Sequence, residues 1–304
     1  MIDLHLHTTY SDGKMQLKDI LKLASQNQLD VISITDHDTV DAYQELKNHF
    51  LYRDLYKGKI IKGTELALRY DGTDVHFLVY DYDFEKMKKF ISQHFKTKYQ
   101  INKYSAYELI KKCYKAGLIL DEENINIDYK KEFPVYKIYK EIMSHEENSS
   151  ILPAEVWGDC SAFIYKYLKV PGSPYYVDLR DFVPAFADVS DELKENCGGK
   201  IFLAHPFNYK DRSQTILDGV VKTGLLDGIE CNHSNLNGSQ SLYLQEYCKR
   251  KKLLMSGGSD YHAKNEPIYI GLGTDDKPIS FDLIKDWVDK GDNTLNEKNF
   301  GRNK

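Results

Sequence analysis

Short apolar runs alternate with longer amphipathic segments in the first and last thirds of the chain. Apolar runs of strand length occupy residues 1–7, 31–35, 59–65, 74–80, 200–204, 228–231 and 253–256. Segments with an apolar residue every three or four positions, as in amphipathic helices, occupy residues 15–28, 39–56, 213–224 and 238–251. Strands that alternate with helices predict βαβ units around a parallel sheet, and therefore an α/β fold.

A barrel explains the polar residues better than an open sheet does. The length of 304 residues suits one large barrel or two ordinary domains. Histidines and acidic residues repeatedly follow the apolar runs, at what would be the C-terminal ends of strands. A barrel gathers those ends on one face. We therefore predict a closed or nearly closed α/β barrel.

The middle of the chain breaks this rhythm. Residues 99–116, 136–145 and 153–168 have the pattern of three further helices, and no metal-binding motif falls among them. We predict barrel segments at residues 1–95 and 183–290, a helical insertion over residues 96–182 that closes over the site, and a polar tail at 291–304. The alternative is that the middle helices are ordinary crossovers of the barrel.

Composition narrows the class of protein. The formal charge of −5 provides no general attraction to nucleic acid or to anionic membrane. The five cysteines are odd in number and form no C-x-x-C motif, which argues for a reducing compartment. Neither a signal peptide nor an apolar stretch of about 20 residues is apparent. We expect a cytoplasmic protein without a membrane partner.

Five short motifs point to one metal site: residues 5–7, 11–13, 35–38, 63–65 and 258–262. With two further histidines they provide six imidazoles and three carboxylates, at His5, His7, Asp12, His37, Glu65, His76, His205, Asp260 and His262. Mixed nitrogen and oxygen ligands favour Zn, Mn or Fe over Ca. Since one ion needs three or four protein ligands, this set predicts two or three divalent ions. Such clusters commonly drive phosphoester hydrolysis.

Position along the strands suggests how these side chains converge. In an extended strand over residues 1–7, Asp3, His5 and His7 point to one face, so the two imidazoles can share an ion. Asp260 and His262 repeat that spacing. A carboxylate can bridge two cations and an imidazole cannot, so Glu65 is the expected bridge.

Four further residues are candidates for roles beside the nine expected ligands. We expect Asp36 to orient an imidazole in the catalytic centre and Asp38 to cap the helix that follows. His233 follows a strand and is a candidate tenth ligand, a phosphate contact or an acid near the leaving group. Ser11 is a candidate substrate contact.

The motifs, in this order, resemble those of the polymerase and histidinol phosphatase (PHP) family of metal-dependent phosphoesterases. The resemblance covers H-x-H, S-D-G, T-D-H-D, G-x-E, the next His, A-H-P and G-S-D-x-H, over roughly residues 1–95 and 183–275. It implies a distorted (β/α)7 barrel with a trinuclear centre. The implied ligand sets are His5, His7, Glu65 and Asp260 for one ion, Glu65, His76 and His205 for the second, and Asp12, His37 and His262 for the third.

The insertion resembles that of a subgroup acting on nucleoside monophosphates, 3′,5′-bisphosphates and short RNA 5′ ends. Residues 162–168 and 174–177 carry this likeness. The subgroup's arginine at a helix start is absent from residues 132–137, where Lys137, or Lys103 earlier in the chain, would have to contact substrate instead.

These inferences predict hydrolysis of a small phosphomonoester, such as a nucleoside monophosphate or 3′,5′-bisphosphate. A hydroxide that bridges the metals would attack phosphorus, and His205 or His233 would protonate the leaving oxygen. A 5′→3′ exonuclease acting on short RNA or DNA and a histidinol-phosphatase-like activity remain open. Weaker alternatives are an amidohydrolase, which would need a metal-bridging lysine such as Lys62, and a metal or nucleotide sensor without turnover.

Overall fold

The structure is a computed structural model that describes residues 1–130, 132–264 and 268–289, apart from the side chains of Phe50 and Arg53. The polar tail predicted at 291–304 lies outside the described residues. The chain divides into two compact units, one formed by Met1–His94 with Pro184–Lys304 and the other by Phe95–Val183. The predicted role of the middle region as a cover for the site stays a prediction.

The first unit is built on a seven-stranded sheet whose strands follow one another in chain order. They are β1 Ile2–Leu6, β2 Val31–Ile34, β3 Lys59–Tyr70, β4 Thr73–Tyr80, β5 Lys200–Leu203, β6 Gly228–His233 and β7 Leu254–Gly258. The segment after β7 returns to β1, where the His7 amide donates to the Tyr261 carbonyl at 3.0 Å and the Asp260 amide to the His5 carbonyl at 3.0 Å. The sheet is therefore a nearly closed barrel, and the predicted distorted (β/α)7 fold is confirmed.

Nine helices, numbered in chain order, accompany the described strands. Those of the first unit are α1 Leu17–Gln26, α2 Asp41–Asn48, α3 Phe84–His94, α7 Phe186–Glu195, α8 Ser213–Lys222 and α9 Gly238–Lys251. Those of the second are α4 Lys98–Lys115, α5 Pro134–Met143 and α6 Cys160–Phe163. Among the residues that the structure describes, none of these helices has the length and apolar character needed to cross a bilayer.

One strand departs from the parallel sheet that the sequence predicted. β4 pairs antiparallel with both β3 and β5. It is joined to β3 by a two-residue turn at Asp71 and Gly72, whose φ angles of 47° and 73° are both positive. An Asp-Gly pair is a strong hairpin signal because it tolerates such angles. As a result His76 reaches the site from within β4, opposite Ala67 of β3.

Apolar side chains fill the barrel at the N-terminal ends of its parallel strands. The strands contribute Ile2, Leu4, Val31, Ile61, Leu78, Tyr80, Phe202 and Ala204, and the C-terminal segment adds Ile279, Ile284 and Val288. The Ile2 amide donates to the Ile279 carbonyl at 3.0 Å, and Trp287 Nε1 donates to the Met255 carbonyl at 2.8 Å. Polar side chains are thus left to the opposite end of the barrel.

Tyr43 of α2 fastens its helix to the sheet. Its buried hydroxyl accepts hydrogen bonds from the amides of Ile34 and Gly63. It also lies 2.8 Å from the carbonyl oxygens of Ile34 and Ile61, which share its single proton. These contacts fix the segment of β3 that leads directly to Glu65.

The second unit has an apolar core of its own, to which α4, α5 and α6 all contribute. Thr97 and Gln100 form a reciprocal capping box at the start of α4, and Pro134 occupies the first position of α5, where its missing N–H costs nothing. The helix predicted at 153–168 begins only at Cys160. Gly158, with φ 84°, interrupts it.

Candidate metal centre

The structure brings all nine predicted ligand residues together at one end of the barrel. Among the described residues, four groups of side chains have potential ligand atoms within 4.8 Å of one another. Three consist of predicted ligands: His5, His7, Glu65 and Asp260; His7, Asp12, His37 and His262; and His37, Glu65 and His76. The fourth is His5, Glu230 and His233. His205 adjoins the third group, with Nε2 2.9 Å from Glu65 Oε1. The first three groups follow the implied ligand sets closely, except that His7 and His37 each belong to two.

Glu65, at the centre of these groups, has a side chain that is only 1% exposed. Its backbone is held in place by β3, and both carboxylate oxygens face imidazoles. Oε2 lies 3.1 Å from His5 Nε2, 3.2 Å from His7 Nε2 and 3.2 Å from His37 Nδ1, and Oε1 lies 2.9 Å from both His76 Nδ1 and His205 Nε2. One carboxylate is thus shared by five imidazoles, three on one oxygen and two on the other.

Asp260 and Asp12 provide the remaining carboxylates. Asp260 Oδ1 lies 3.3 Å from His5 Nε2 and 3.1 Å from His7 Nε2. Asp12 Oδ1 lies 3.0 Å from His262 Nε2, while its other oxygen pairs with Lys264 at 2.7 Å. Asp12 is half exposed, so this side of the cluster is the one open to solvent.

Two of these residues adopt left-handed backbone conformations. His205 has φ 27° and Asp260 has φ 58°, which are unusual for residues other than glycine. Such conformations cost free energy and persist where surrounding contacts impose them, often at functional sites. Here the turn after β5 and the turn after β7 direct both side chains at Glu65 and β1.

The hydrogen bonds of His5 show that this arrangement suits a cation. His5 Nδ1 lies 2.9 Å from Glu230 Oε1, and an ionised carboxylate can only accept, so Nδ1 carries the proton. In a neutral ring Nε2 is then bare, although it faces Glu65 Oε2 at 3.1 Å and Asp260 Oδ1 at 3.3 Å. Three lone pairs converge there. His7 Nε2 and Asp260 Oδ1 are also buried without a hydrogen-bond partner, so the residues fit a divalent ion.

Protons compete with metal ions for the imidazole nitrogens of this cluster. Burial disfavours charged imidazoles, yet neighbouring carboxylates outweigh it and raise the pKa of His5 well above its usual range and that of His7 to about 9. His37 behaves differently, since burial and the nearby His7 and His76 lower its pKa to about 4. The facing imidazoles lower the pKa of Glu65 well below its usual range despite its burial. A cation that enters this cluster must displace protons.

Asp36 and Ser11 have other partners than the sequence suggested. Asp36 accepts hydrogen bonds from the Thr8 amide at 2.7 Å, the Thr8 hydroxyl at 2.6 Å and the Ser11 hydroxyl at 2.6 Å. Ser11 in turn lies 3.4 Å from His7 Nδ1. The carboxylate of Asp36 therefore holds the turn after β1 and acts on His7 through Ser11. The substrate contact of Ser11 stays a prediction.

Asp38 does not cap α2, as the sequence suggested. Its carboxylate accepts a hydrogen bond from the Ala67 amide of β3 at 2.9 Å, and α2 begins after Val40 without a side-chain cap. Burial raises the pKa of Asp38 to about 7. Its role is still structural, because it ties the turn after β2 to β3 beside Glu65.

Sequence reasoning missed Glu230. This residue of β6 is fully buried and contacts His5 through one oxygen and the His205 amide, at 2.7 Å, through the other. The available signal was a carboxylate inside an otherwise apolar strand run, three residues before His233. A single Glu in a strand carries no indication of its partner, so only the fold reveals its contacts.

His233 is buried beside the cluster, with Nε2 3.6 Å from Asp260 Oδ2. The Asn235 amide donates to His233 Nδ1 at 3.0 Å, so that nitrogen is an acceptor. The neutral ring then carries its proton on Nε2, which has no hydrogen-bond partner. His233 therefore presents an N–H donor to the cluster.

The two predicted substrate lysines belong to the second unit. Lys103 lies over the ring of Tyr99, 5.8 Å from its centroid, and Lys137 is 3.5 Å from Glu132. Lys103 also lines a cavity of about 310 Å³, together with Tyr107, Ile110, Lys111, Tyr114, Glu122 and Tyr129. Their contact with substrate stays a prediction.

Fold and site together define a metal-binding α/β barrel of the hydrolase type. Residues 3–179 match the PHP domain model, and the chain belongs to that family. This confirms the family predicted from the motifs and, with it, the enzyme class of metal-dependent phosphoesterase.

Two relatives are similar over nearly their full lengths. The 5′-3′ exoribonuclease of Haemophilus influenzae is 24% identical over 277 residues, covering 90% of this chain and 94% of the relative. The phosphoribosyl 1,2-cyclic phosphate 1,2-diphosphodiesterase of Eggerthella lenta is 26% identical over 273 residues, covering 86% and 94%. Among solved structures, a predicted metal-dependent phosphoesterase from Bifidobacterium adolescentis superposes with a TM-score of 0.63 at 20% identity, covering 97% of each chain. That likeness bears on the fold alone.

Proposed function

We propose that the cluster binds two or three divalent ions, Mn, Zn or Fe, and hydrolyses a phosphomonoester of a ribose compound. Nucleoside monophosphates and 3′,5′-bisphosphates are the first candidates. Both relatives support a ribose phosphate as the substrate class, since one is named for cleaving RNA and the other for cleaving a phosphoribosyl cyclic phosphate. Both names denote cleavage of a phosphodiester, so the monoester is this proposal's own step.

The observation that carries this proposal is the environment of Glu65. Its two oxygens face different imidazoles, His5, His7 and His37 on one side and His76 and His205 on the other. That arrangement suits a carboxylate that bridges two cations. Asp12, His37 and His262 would hold a third.

Divalent ions in such a site supply a water of lowered pKa and positive charge for the phosphoryl oxygens. The protein contributes the positions of the donors around them. The Nε2–H of His233 is available to a phosphoryl or leaving oxygen, and this hydrogen-bonding state favours a substrate contact or acid over a tenth ligand. The Asp36–Ser11 contact steadies His7, and Lys264 pairs with Asp12 on the exposed side.

The amidohydrolase alternative lacks its bridging lysine at the expected place. Lys62 has its amino group 6.0 Å from the centroid of Tyr82, and burial lowers its pKa. The position among the imidazoles is occupied by Glu65 instead. These contacts favour phosphoester hydrolysis over the amidohydrolase chemistry.

An exonuclease acting on short oligonucleotides is a second candidate, favoured by the surface of α4. Lys103 and Lys111 each lie over a tyrosine ring, at 5.8 and 5.9 Å from the centroids of Tyr99 and Tyr107. Tyr107 is 65% exposed. Aromatic rings interleaved with lysines are the usual means of binding single-stranded nucleic acid.

A hydrolysis screen tests both candidates. Metal-depleted protein is reloaded with Mn, Zn or Mg and assayed on AMP, adenosine 3′,5′-bisphosphate, histidinol phosphate and 5′-phosphorylated oligoribonucleotides. We expect chelator-sensitive phosphate release with the highest kcat/KM on a nucleotide, abolished by His7→Ala and retained in His49→Ala, whose ring stacks on Tyr52 away from the cluster. Release of mononucleotides from oligonucleotides without hydrolysis of AMP would select the exonuclease. Metal-loaded protein that hydrolyses none of these substrates would overturn the proposal.

A further inference from the structure

Glu230 connects two parts of the candidate metal centre that are far apart in the chain. It is fully buried in β6, and each of its oxygens has one partner. Oε1 accepts from His5 Nδ1 of β1 at 2.9 Å, and Oε2 accepts from the His205 amide after β5 at 2.7 Å. Both oxygens are therefore occupied, one by a side chain of β1 and the other by the backbone after β5.

These contacts argue against direct metal ligation by Glu230. It lies in a group with His5 and His233 whose side chains could in principle hold an ion. However, His5 Nδ1 already donates to Glu230, and His233 Nδ1 accepts from the Asn235 amide. An ion at that place would have to break the bonds that orient both rings.

The two partners of Glu230 face different oxygens of Glu65. His5 Nε2 faces Oε2 of Glu65 at 3.1 Å, and His205 Nε2 faces Oε1 at 2.9 Å. His205 has the left-handed φ of 27°, and the bond from its amide to Glu230 helps to hold that conformation. One buried carboxylate thus supports an imidazole at each oxygen of the expected bridge.

We infer that Glu230 is a positioning residue for the metal centre. It keeps the proton of His5 on Nδ1, so that Nε2 is free for a metal ion, and it holds the backbone from which His205 reaches Glu65. The inference rests on the proposed metal-binding function. Carboxylates that orient a ligating histidine typically change metal affinity by about 10–100-fold when they are removed.

The test compares Glu230→Ala and Glu230→Gln with a matched control, Glu192→Gln. Glu192 also pairs with a histidine, His94 Nε2 at 2.8 Å, but this pair is partly exposed and lies on α3 and α7 outside the site. Metal affinity is measured by competition with a chromophoric chelator, metal content by elemental analysis, and the protonation of the histidine nitrogens by ¹H–¹⁵N correlation spectra of the Zn-loaded proteins.

We expect Glu230→Ala to weaken metal binding about 10–100-fold and to lose the Nδ1–H signature of His5. Glu230→Gln keeps one acceptor, so its affinity is expected between those of Glu230→Ala and the unmodified protein, about 3–10-fold below the latter. Glu192→Gln is expected to match the unmodified protein. Circular dichroism and melting of the metal-free proteins show whether each variant folds.

Several outcomes would overturn the inference. Unchanged metal affinity and an unchanged His5 spectrum in Glu230→Ala would do so. Loss of one full equivalent of metal with the His5 signature intact would instead make Glu230 a ligand. If Glu230→Ala fails to fold, Glu230→Gln decides, and full affinity in that variant counts against the inference. If the unmodified protein binds no divalent metal, the proposed function itself is wrong. The metal measurements on the unmodified protein distinguish that outcome from a failure of the inference about Glu230.

Discussion

The closure of the barrel depends on a glycine, and its substitution by alanine tests that closure. Gly258 ends β7 directly against β1. A Cβ added there would lie 2.2 Å from His5 Cβ and 2.5 Å from the His5 amide nitrogen. Carbon atoms in contact are about 3.5 Å apart, so the two strands would have to separate by about 1.3 Å. Most of the atoms that the added Cβ would contact belong to the His5 backbone, which cannot move aside as a side chain can.

The expected cost follows from this overlap. Overpacking of a tight interior costs about 1–3 kcal/mol, and the backbone clash places Gly258→Ala at about 3 kcal/mol. At an unfolding entropy of about 2.1 cal/mol/K per residue, that cost lowers the Tm of a 304-residue protein by about 5 °C. The same displacement carries His5 away from Asp260, whose Oδ1 lies 3.3 Å from His5 Nε2. Metal affinity is therefore expected to fall at least about tenfold.

Thermal melting of metal-free and Mn-loaded protein, with metal content by elemental analysis, measures both effects. Gly238→Ala serves as the control. Gly238 begins α9, and an added Cβ would meet only the Asp275 carboxylate tip, at 3.0 Å. Its Tm should stay the same or rise, because alanine favours a helix. If Gly258→Ala melts within about 1 °C of the unmodified protein and keeps its metal, the strands do not meet as closely as described.

Three further predictions concern the cluster and its support. Glu65→Gln keeps the size of the side chain but removes the charge shared by five imidazoles. We therefore expect elemental analysis to show the loss of at least one equivalent of metal, and phosphatase activity to be lost as well. Full metal content in this variant would refute the bridging role. Because the pKa of His7 is raised to about 9, metal entry at pH 7 must release its proton, so metal affinity should rise with pH between 7 and about 9. Calorimetry in buffers of different ionisation enthalpy would detect that release, and pH-independent binding would contradict it. Tyr43→Phe leaves the amides of Ile34 and Gly63 without the hydroxyl that they donate to, and should lower the free energy of unfolding in denaturant by about 2 kcal/mol. Tyr82→Phe loses one hydrogen bond and should lower it by about 1 kcal/mol. Equal costs would argue against the role of Tyr43.

The barrel was predictable because its strands are apolar, short and bounded by polar motifs. The position of each strand follows from those boundaries, and the crossovers at α1, α8 and α9 have a clear amphipathic spacing. α3 and α7 were missed, although Phe84, Met87 and Phe90 of α3 are buried at intervals of three residues. The direction of β4 was also missed, because an apolar run carries no direction and only the Asp-Gly turn before it does.

The convergence of the nine candidate ligand residues was predictable for a different reason. Histidines and carboxylates at the ends of successive strands have one place to meet in a barrel, so position in the chain and residue type were enough. The hydrogen bonds that hold the candidate ligands in place do not follow from chain position and residue type. Asp36 reaches Thr8 and Ser11 rather than an imidazole, and Glu230 reaches His5 across 225 positions of sequence. Such partners depend on the register of strands and turns, which the sequence does not specify.

The balance of ligand types explains how a chain of net charge −5 can attract an anionic substrate. Six of the nine expected ligands are imidazoles, which bind metal in their neutral form. Three divalent ions held against Asp12, Glu65 and Asp260 would leave a surplus of about three positive charges, concentrated in one pocket. A cluster built mainly from carboxylates would neutralise its own ions and lose that attraction. Glu65 suits this arrangement because its single charge, placed between five imidazoles, would serve more than one ion at a time.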